Sequence, residues 1–241
     1  MLAPAMRYPE PLARGRLVKR YKRFLADVAL DDGGEITAHC PNPGSMRTVS
    51  DPGSPVWLSH SDNPKRKLAW TLELIETASA IVGVNPMRAN ALAAEAIEAG
   101  TIGALTGYGG MRREVRYGEN SRIDLLLQDG PGPDCHVEVK SVTMRRDETG
   151  SGLAEFPDAV TKRGAKHLVE LTEVVRSGGR AVMLFVAQRG DCERFAVAAD
   201  IDPGYAEALK AARAAGVEAL AYRCTVAPAG IEITQALAIA G

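Results

Sequence analysis

The chain has 241 residues, 46% hydrophobic and 24% charged, an ordinary globular composition with enough length for one large core or two small ones. A net charge of −1 excludes any argument for a nucleic-acid partner from overall charge, and 5% aromatics exclude an extensive base-stacking surface. Any electrostatic footprint has to be local.

No run of 18 apolar residues predicts a transmembrane helix. Pro4, Pro9 and Pro11 interrupt the N-terminal stretch where a signal-peptide core would stand. Cys40, Cys135, Cys192 and Cys224 lie far apart with no C-x-x-C, against a zinc site or disulfide framework and in keeping with a cytoplasmic protein.

Residues 16–80 read as about five short strands with no convincing helix, a small barrel or sandwich. "RLVKRYKRFLADVAL" runs to the acidic turn "DDGGE", and "EITAHC", "PVWLSHS" and "KLAWTLELIETA" follow. The loop "PNPGSM" and the turn "DNPKRK" separate them. The texture changes at "VGVNPMRAN", which places a boundary near residue 84, between domains 1–84 and 85–241. "ANALAAEAIEA" then predicts a helix over 89–99, with Asn90 as N-cap and Gly100 as its stop. "MRREVRYG", "RIDLLL" and "HVEVKSV" are strand-like, and a helix pattern over 158–176 ends at "SGG". "RAVMLFVAQ" is wholly apolar, as a central strand buried on both faces would be. Helix "PGYAEALKAARAAG" and strands "VEALAYRCTV" and "IEITQALAI" complete a mixed α/β domain.

Three charges interrupt the apolar strands of "SRIDLLLQDGPGPDCHVEVKSV": Asp124, Glu138 and Lys140. Along a strand Glu138 and Lys140 share one face and Val137 and Val139 the other. If the two segments pair as a hairpin, Asp124 comes beside Glu138, given a bend in the strand. Crowded carboxylates repel, and a divalent cation removes that repulsion; hard oxygen ligands suit Mg²⁺ or Mn²⁺. Lys140 would orient the attacking water or stabilise charge on phosphorus. The opposing reading is an edge hairpin with charges in water, against which the apolar flanks argue. Glu95 on the first helix and Glu114 on the first strand are candidates to complete the metal shell. A solvated helix face and a cross-strand arginine partner are their respective alternatives. On the second helix Arg163 and His167 share a face, as do Lys162 and Lys166, and one pair could meet phosphate.

The segment "RGRLVKRYKR", residues 14–23, carries six cations and no acid. Arg16, Lys19, Arg20, Lys22 and Arg23, with Lys65, Arg66 and Lys67 in a turn, could flank one groove of the barrel. Tyr21 and Phe24 stand by to stack on bases, as in an OB-fold. The alternative is a solvated surface. His39 with Cys40 in "HCPNPGSMR" lacks a second ligand cluster, so a structural or binding loop is the better reading, and His39 and His60 read as structural.

Asp, thirteen residues, then Glu-x-Lys, together with the element order of residues 89–190, resembles the PD-(D/E)XK nuclease superfamily. As a set, "GRLVKRYKRFLADV", "AHCPNPGSM", "VWLSHSDNPKRKL", "SRIDLLL", "VEVKSV", "FPDAVTKRGAKHL" and "GVEALAY" resemble the sugar fermentation stimulation protein A family over residues 14–223. Pro43 departs from that pattern, which usually has threonine there. The resemblance implies an OB-fold followed by a nuclease-like domain, DNA binding, and a link to maltose-metabolism genes. It carries Asp124, Glu138 and Lys140 over as the active site. The expectation is therefore a DNA-binding protein with a Mg²⁺-dependent phosphodiester-cleaving site, or a non-catalytic DNA-binding regulator that keeps the fold. Whether the DNA is single-stranded or duplex is left open, as is a homodimer.

Overall fold

The structure, a computed structural model, describes residues 6–118, 121–146, 150 and 152–240. Pro4, which bears on the signal-peptide reading, lies outside the described residues. Strand β1 (Met6–Arg7) precedes β2 (Ala13–Tyr21), β3 (Leu25–Leu30), β4 (Glu35–His39), β5 (Pro55–His60), β6 (Trp70–Glu76) and β7 (Ile81–Gly83). Strands β2 to β7 form a sheet in the order β4-β3-β2-β5-β6-β7, and a parallel bridge between His39 and Thr71 joins β4 to β6, closing five strands into a barrel. Alternating side chains such as Leu17, Val28, Val56, Leu58 and Leu72 fill it.

The run read as one stretch over residues 16–30 is two strands. The chain turns at Lys22 and Arg23, whose φ angles are +48° and +64°. Glycine or asparagine usually marks left-handed backbone, so two cations there leave no turn signature. Strand β1, expected within the first domain, instead pairs with a C-terminal strand, Met6 opposite Ile231.

A short turn, Pro86–Arg88, is capped by the Asn85 side chain and leads into α1 (Ala89–Glu98). Asn90, expected as the cap, lies inside the helix and is free for another partner. Gly100, at φ +74°, ends it as expected, with backbone that L side chains avoid. Next come β8 (Gly110–Tyr117), β9 (Ser121–Gln128), β10 (Cys135–Val142), β11 (Leu153–Phe156), α2 (Lys162–Arg176), β12 (Arg180–Ala187), β13 (Arg194–Val197), α3 (Pro203–Ala214), β14 (Glu218–Ala227), β15 (Gly230–Ala236) and β16 (Ala238–Ile239).

The large sheet has the order β1-β15-β14-β12-β10-β9-β8, so the apolar β12 lies at its centre, parallel to β10 and β14. Helix α1 packs on one face, over Leu125, Val137, Val139 and Leu184. Helices α2 and α3 pack on the other, over Ile123, Leu126, Met183 and Phe185. A small parallel sheet, β11-β13-β16, was not foreseen. Helix α2 starts at its Thr161 cap rather than at residue 158. Residues 158–161 instead form a loop that meets the barrel.

Polar contacts tie the two units. Gly83 N–H donates to the Gln188 carbonyl at 2.8 Å, and Gln188 Nε2 donates to the Asn85 carbonyl at 3.1 Å. Asp191 gathers Arg145, the fully buried Arg189 and the barrel's Ser79 hydroxyl.

Candidate active site

The site arises where two strands part. The β9–β10 ladder pairs Leu127 with Cys135, Leu126 with His136 and Leu125 with Val137, and stops there. On the other side of β9, Arg113 pairs with Leu125 and Val115 with Ile123, while the facing step between them, Glu114 against Asp124, is left unbridged, with Glu114 at φ +53°. Asp124 is therefore free of regular pairing on both sides. Its Oδ2 accepts the Val139 N–H at 2.7 Å, taking the place of a ladder carbonyl, and its Oδ1 accepts from Asn90 Nδ2 at 2.7 Å. Asp124 thus leaves the regular ladder at the position where the sequence reading called for a bend.

Glu138 is 3% exposed and reaches toward α2. Its Oε1 accepts from Lys140 Nζ at 2.7 Å and meets His167 Nδ1. Arg163 Nε–H donates to His167 Nε2 at 3.3 Å, so that nitrogen bears the lone pair. The ring proton then sits on Nδ1 and is donated to Glu138. Glu138 Oε2 is buried with no hydrogen-bond partner among the described residues.

Burial, and next the Glu138 charge, push the Asp124 carboxyl up to about 6 against the bonds from Val139 and Asn90. Burial works to raise Glu138 as well, but the His167 bond and the Lys140 charge outweigh it and hold Glu138 below its ordinary value. The two carboxylates are thus held from opposite faces of the sheet, Asp124 by α1 and Glu138 by α2. Both line one cleft of about 730 Å³.

The barrel supplies the opposite wall. Arg20 Nη2 donates to the carbonyls of Asn42 and Gly44 at 2.9 and 2.8 Å, and Nη1 to that of Ser45 at 3.3 Å. The loop so held reaches α2's leading segment: Ser45 Oγ donates to the Asp158 carbonyl at 2.6 Å and Met46 N–H to Asp158 Oδ2 at 2.7 Å. A Cβ on Gly44 would lie 2.7 Å from both Asp158 carboxylate oxygens, so only glycine permits this approach.

Sequence reading named Asp124, Glu138, Lys140, Arg20, Arg23 and Arg163, and the structure brings all six to the cleft. Other expected residues lie elsewhere. Arg16 bonds the Gly53 carbonyl, and Lys19 pairs with Asp27 at 3.4 Å. Lys65, Arg66 and Lys67 occupy the exposed β5–β6 turn, where Arg66 bonds Thr71. Lys22 is exposed at the hairpin tip beside Arg23 and Phe24.

Glu95 lies elsewhere as well: it is five residues beyond Asn90, about 140° round the helix, and lines a crevice with Glu232 rather than the cleft. Glu114 comes nearer through Asn90 Nδ2, 3.4 Å from its Oε1, rather than through an arginine. Among the described residues no three His, Cys, Asp or Glu side chains are grouped to hold a metal ion. Two carboxylates still suit a hard cation, whose remaining positions water and backbone oxygens fill.

Sequence reasoning missed Asn90 and His167 as partners of the carboxylates. Asn90 was absorbed by its capping propensity. The i,i+4 spacing of Arg163 and His167 was visible, but nothing in it pointed to Glu138.

Two family models match the chain: the SfsA N-terminal OB domain over residues 18–84, and the sugar fermentation stimulation protein RE domain over residues 87–230. The sugar fermentation stimulation protein homolog of Maricaulis maris (strain MCS10) is 56% identical over 234 residues, covering 97% of this chain and 98% of the relative. That of Rhodospirillum rubrum is 55% identical over 240 residues, covering 96% and 98%. Among solved structures, Pyrococcus furiosus SfsA in complex with Ca²⁺ is similar at a TM-score of 0.86, with 27% identity over 99% of this chain and 100% of the other.

Proposed function

The chain belongs to the sugar fermentation stimulation protein family, and we propose that it is a nucleic-acid phosphodiesterase in which Asp124 and Glu138 hold a divalent cation, Mg²⁺ or Mn²⁺. The observation that carries this reading is the pair of buried carboxylates on one cleft, with Glu138 Oε2 left without a partner among the described residues. An unpaired oxygen on an ionised, buried carboxylate is costly, and a cation is the partner its chemistry fits. The Ca²⁺ of the Pyrococcus furiosus relative supports a divalent ion. A cation bound there would act as a Lewis acid toward a phosphodiester oxygen and acidify a water.

The chain's own residues supply the rest. The Lys140 ammonium, fixed by Glu138, sits where it can hold the attacking water and meet charge developing on phosphorus. His167 and Arg163 are positioning residues that keep Glu138 turned into the cleft. Arg163 and the barrel's Arg23 face the same space and offer guanidinium groups to flanking phosphates. Lys22 and Phe24 at the barrel's hairpin tip extend that surface. DNA is the partner this reading favours.

A second reading, a DNA-binding regulator without turnover, draws on Asp124, whose two oxygens are both taken by protein donors. One experiment separates them. Single-stranded, duplex and flapped DNA and RNA are incubated with Mg²⁺ or Mn²⁺ and either wild-type protein or Asp124→Asn. Asn keeps an acceptor for Val139 and so spares the fold. Under the first reading wild-type cleaves at least one substrate, and the variant loses about a hundredfold or more while retaining affinity. Equal cleavage by the two overturns it, and binding without any product favours the regulator.

A further inference from the structure

A second basic surface runs along the edge of the large sheet. Strand β8 is the last in the sheet order and carries Arg112, Arg113 and Arg116, all exposed, while Arg122 is exposed on its neighbour β9. Arg116 and Arg122 are direct cross-strand partners. Like charges placed opposite one another, about 5 Å apart at Cβ, destabilise a sheet. Among the described residues none of these four arginines makes an ion pair. Glu95 lies within the electrostatic reach of Arg113 alone.

The register sets their direction. Val115 and Ile123 pack toward α2, so Arg116 and Arg122, the adjacent positions, face the α1 side. Arg113 is opposite Leu125, which packs under α1. Asp124, held by Asn90 of α1, belongs to that same side and lies two residues from Arg122, a rise of about 7 Å. The repelling pair therefore lies on the same face as Asp124, one strand pitch away.

We infer that the Arg116–Arg122 pair, with Arg113 beside it, is a phosphate-binding strip that holds the nucleic-acid backbone next to the scissile position. A polyanion relieves the repulsion that the free protein carries, and the two-residue step from Arg122 to Asp124 on one face sets the strip beside a carboxylate. The inference rests on the phosphodiesterase reading for the identity of the polyanion.

The test measures binding of a fluorescent oligonucleotide, single-stranded and duplex, against salt concentration with Arg116→Ala/Arg122→Ala, Arg116→Lys/Arg122→Lys and wild-type protein. Two lost phosphate contacts lower the slope of log affinity against log salt by about 1.4 to 1.8, depending on the strand. The lysine variant keeps the slope. Thermal unfolding of the free alanine variant rises or holds level, because a repulsion has been removed. An unchanged slope in the alanine variant overturns the strip. So does a fall in thermal midpoint that accounts for lost binding through unfolding. Cleavage is read separately with Asp124→Asn: a strip variant with a lowered slope, in a protein that cleaves nothing, refutes the phosphodiesterase and leaves the strip standing. An unchanged slope in a protein that cleaves does the reverse.

Discussion

The barrel's basic hairpin, of arginines and lysines, and the β8–β9 edge hairpin, of arginines alone, use their charges differently. In the barrel, Arg14 pairs with Asp31 at 3.6 Å, Lys19 with Asp27 at 3.4 Å, and Arg20 spends its guanidinium on three loop carbonyls. On the edge hairpin Arg116 and Arg122 face each other with no acidic partner among the described residues. A run of cations is therefore not a footprint until the destination of each donor is known. The denser run in sequence is partly internal scaffolding, with Lys22 and Arg23 left exposed at its tip, whereas none of the four arginines of the sparser set makes an ion pair among the described residues.

That contrast can be sharpened by removing charges or their partners in turn. The largest effect belongs to the most tightly held arginine. Asp191→Asn strips the charge partner from Arg189, which is 0% exposed, and removes one ion pair of Arg145. The expected cost is about 3 kcal/mol or more in chemical denaturation. Burial works to raise the Asp191 pKa, but bonds from Arg189, Ser79 and Arg145 hold it well below the usual carboxylate range. A folded pKa below the unfolded one stabilises above about pH 4, and that contribution is lost as pH falls. Wild-type stability thus declines on acidification below that point, and the variant's declines less.

Arg20→Ala comes next. It leaves the carbonyls of Asn42, Gly44 and Ser45 without their donor and loosens the bridge to Asp158. About 2 kcal/mol of stability should be lost in urea denaturation, with a higher KM for any nucleic-acid substrate. Lys19→Ala, whose side chain is 61% exposed, should change stability by less than about 0.5 kcal/mol and leave the salt slope of oligonucleotide binding where it was. A large drop in slope for Lys19→Ala would move the binding surface back to the barrel and erase the contrast.

What was legible in the sequence follows from the range over which each signal acts. The barrel, the first helix and its glycine stop, and the central placement of β12 came from periodicity and composition across eight or more residues. Asp124, Glu138 and Lys140 stood out because charge is costly in an apolar strand, and that cost survives without coordinates. The strands β11, β13 and β16, of four, four and two residues, are too short for a period to register. The turn at Lys22 and Arg23 lacks the residues that announce left-handed backbone. The helical phase of Glu95 could have been checked against Asn90, but only once Asn90 was known to face the carboxylates. His167 needed the packing of α2 on β10, a contact between elements about thirty residues apart that no local pattern encodes.

The parting of β9 from β10 has one more consequence. Because the Val139 amide is bonded to a side chain rather than to a strand carbonyl, its proton senses the charge state of Asp124 directly. That single backbone resonance becomes a spectroscopic gauge inside the molecule, which moves when Asp124 gains a proton or an ion while the neighbouring amides of the sheet stay still.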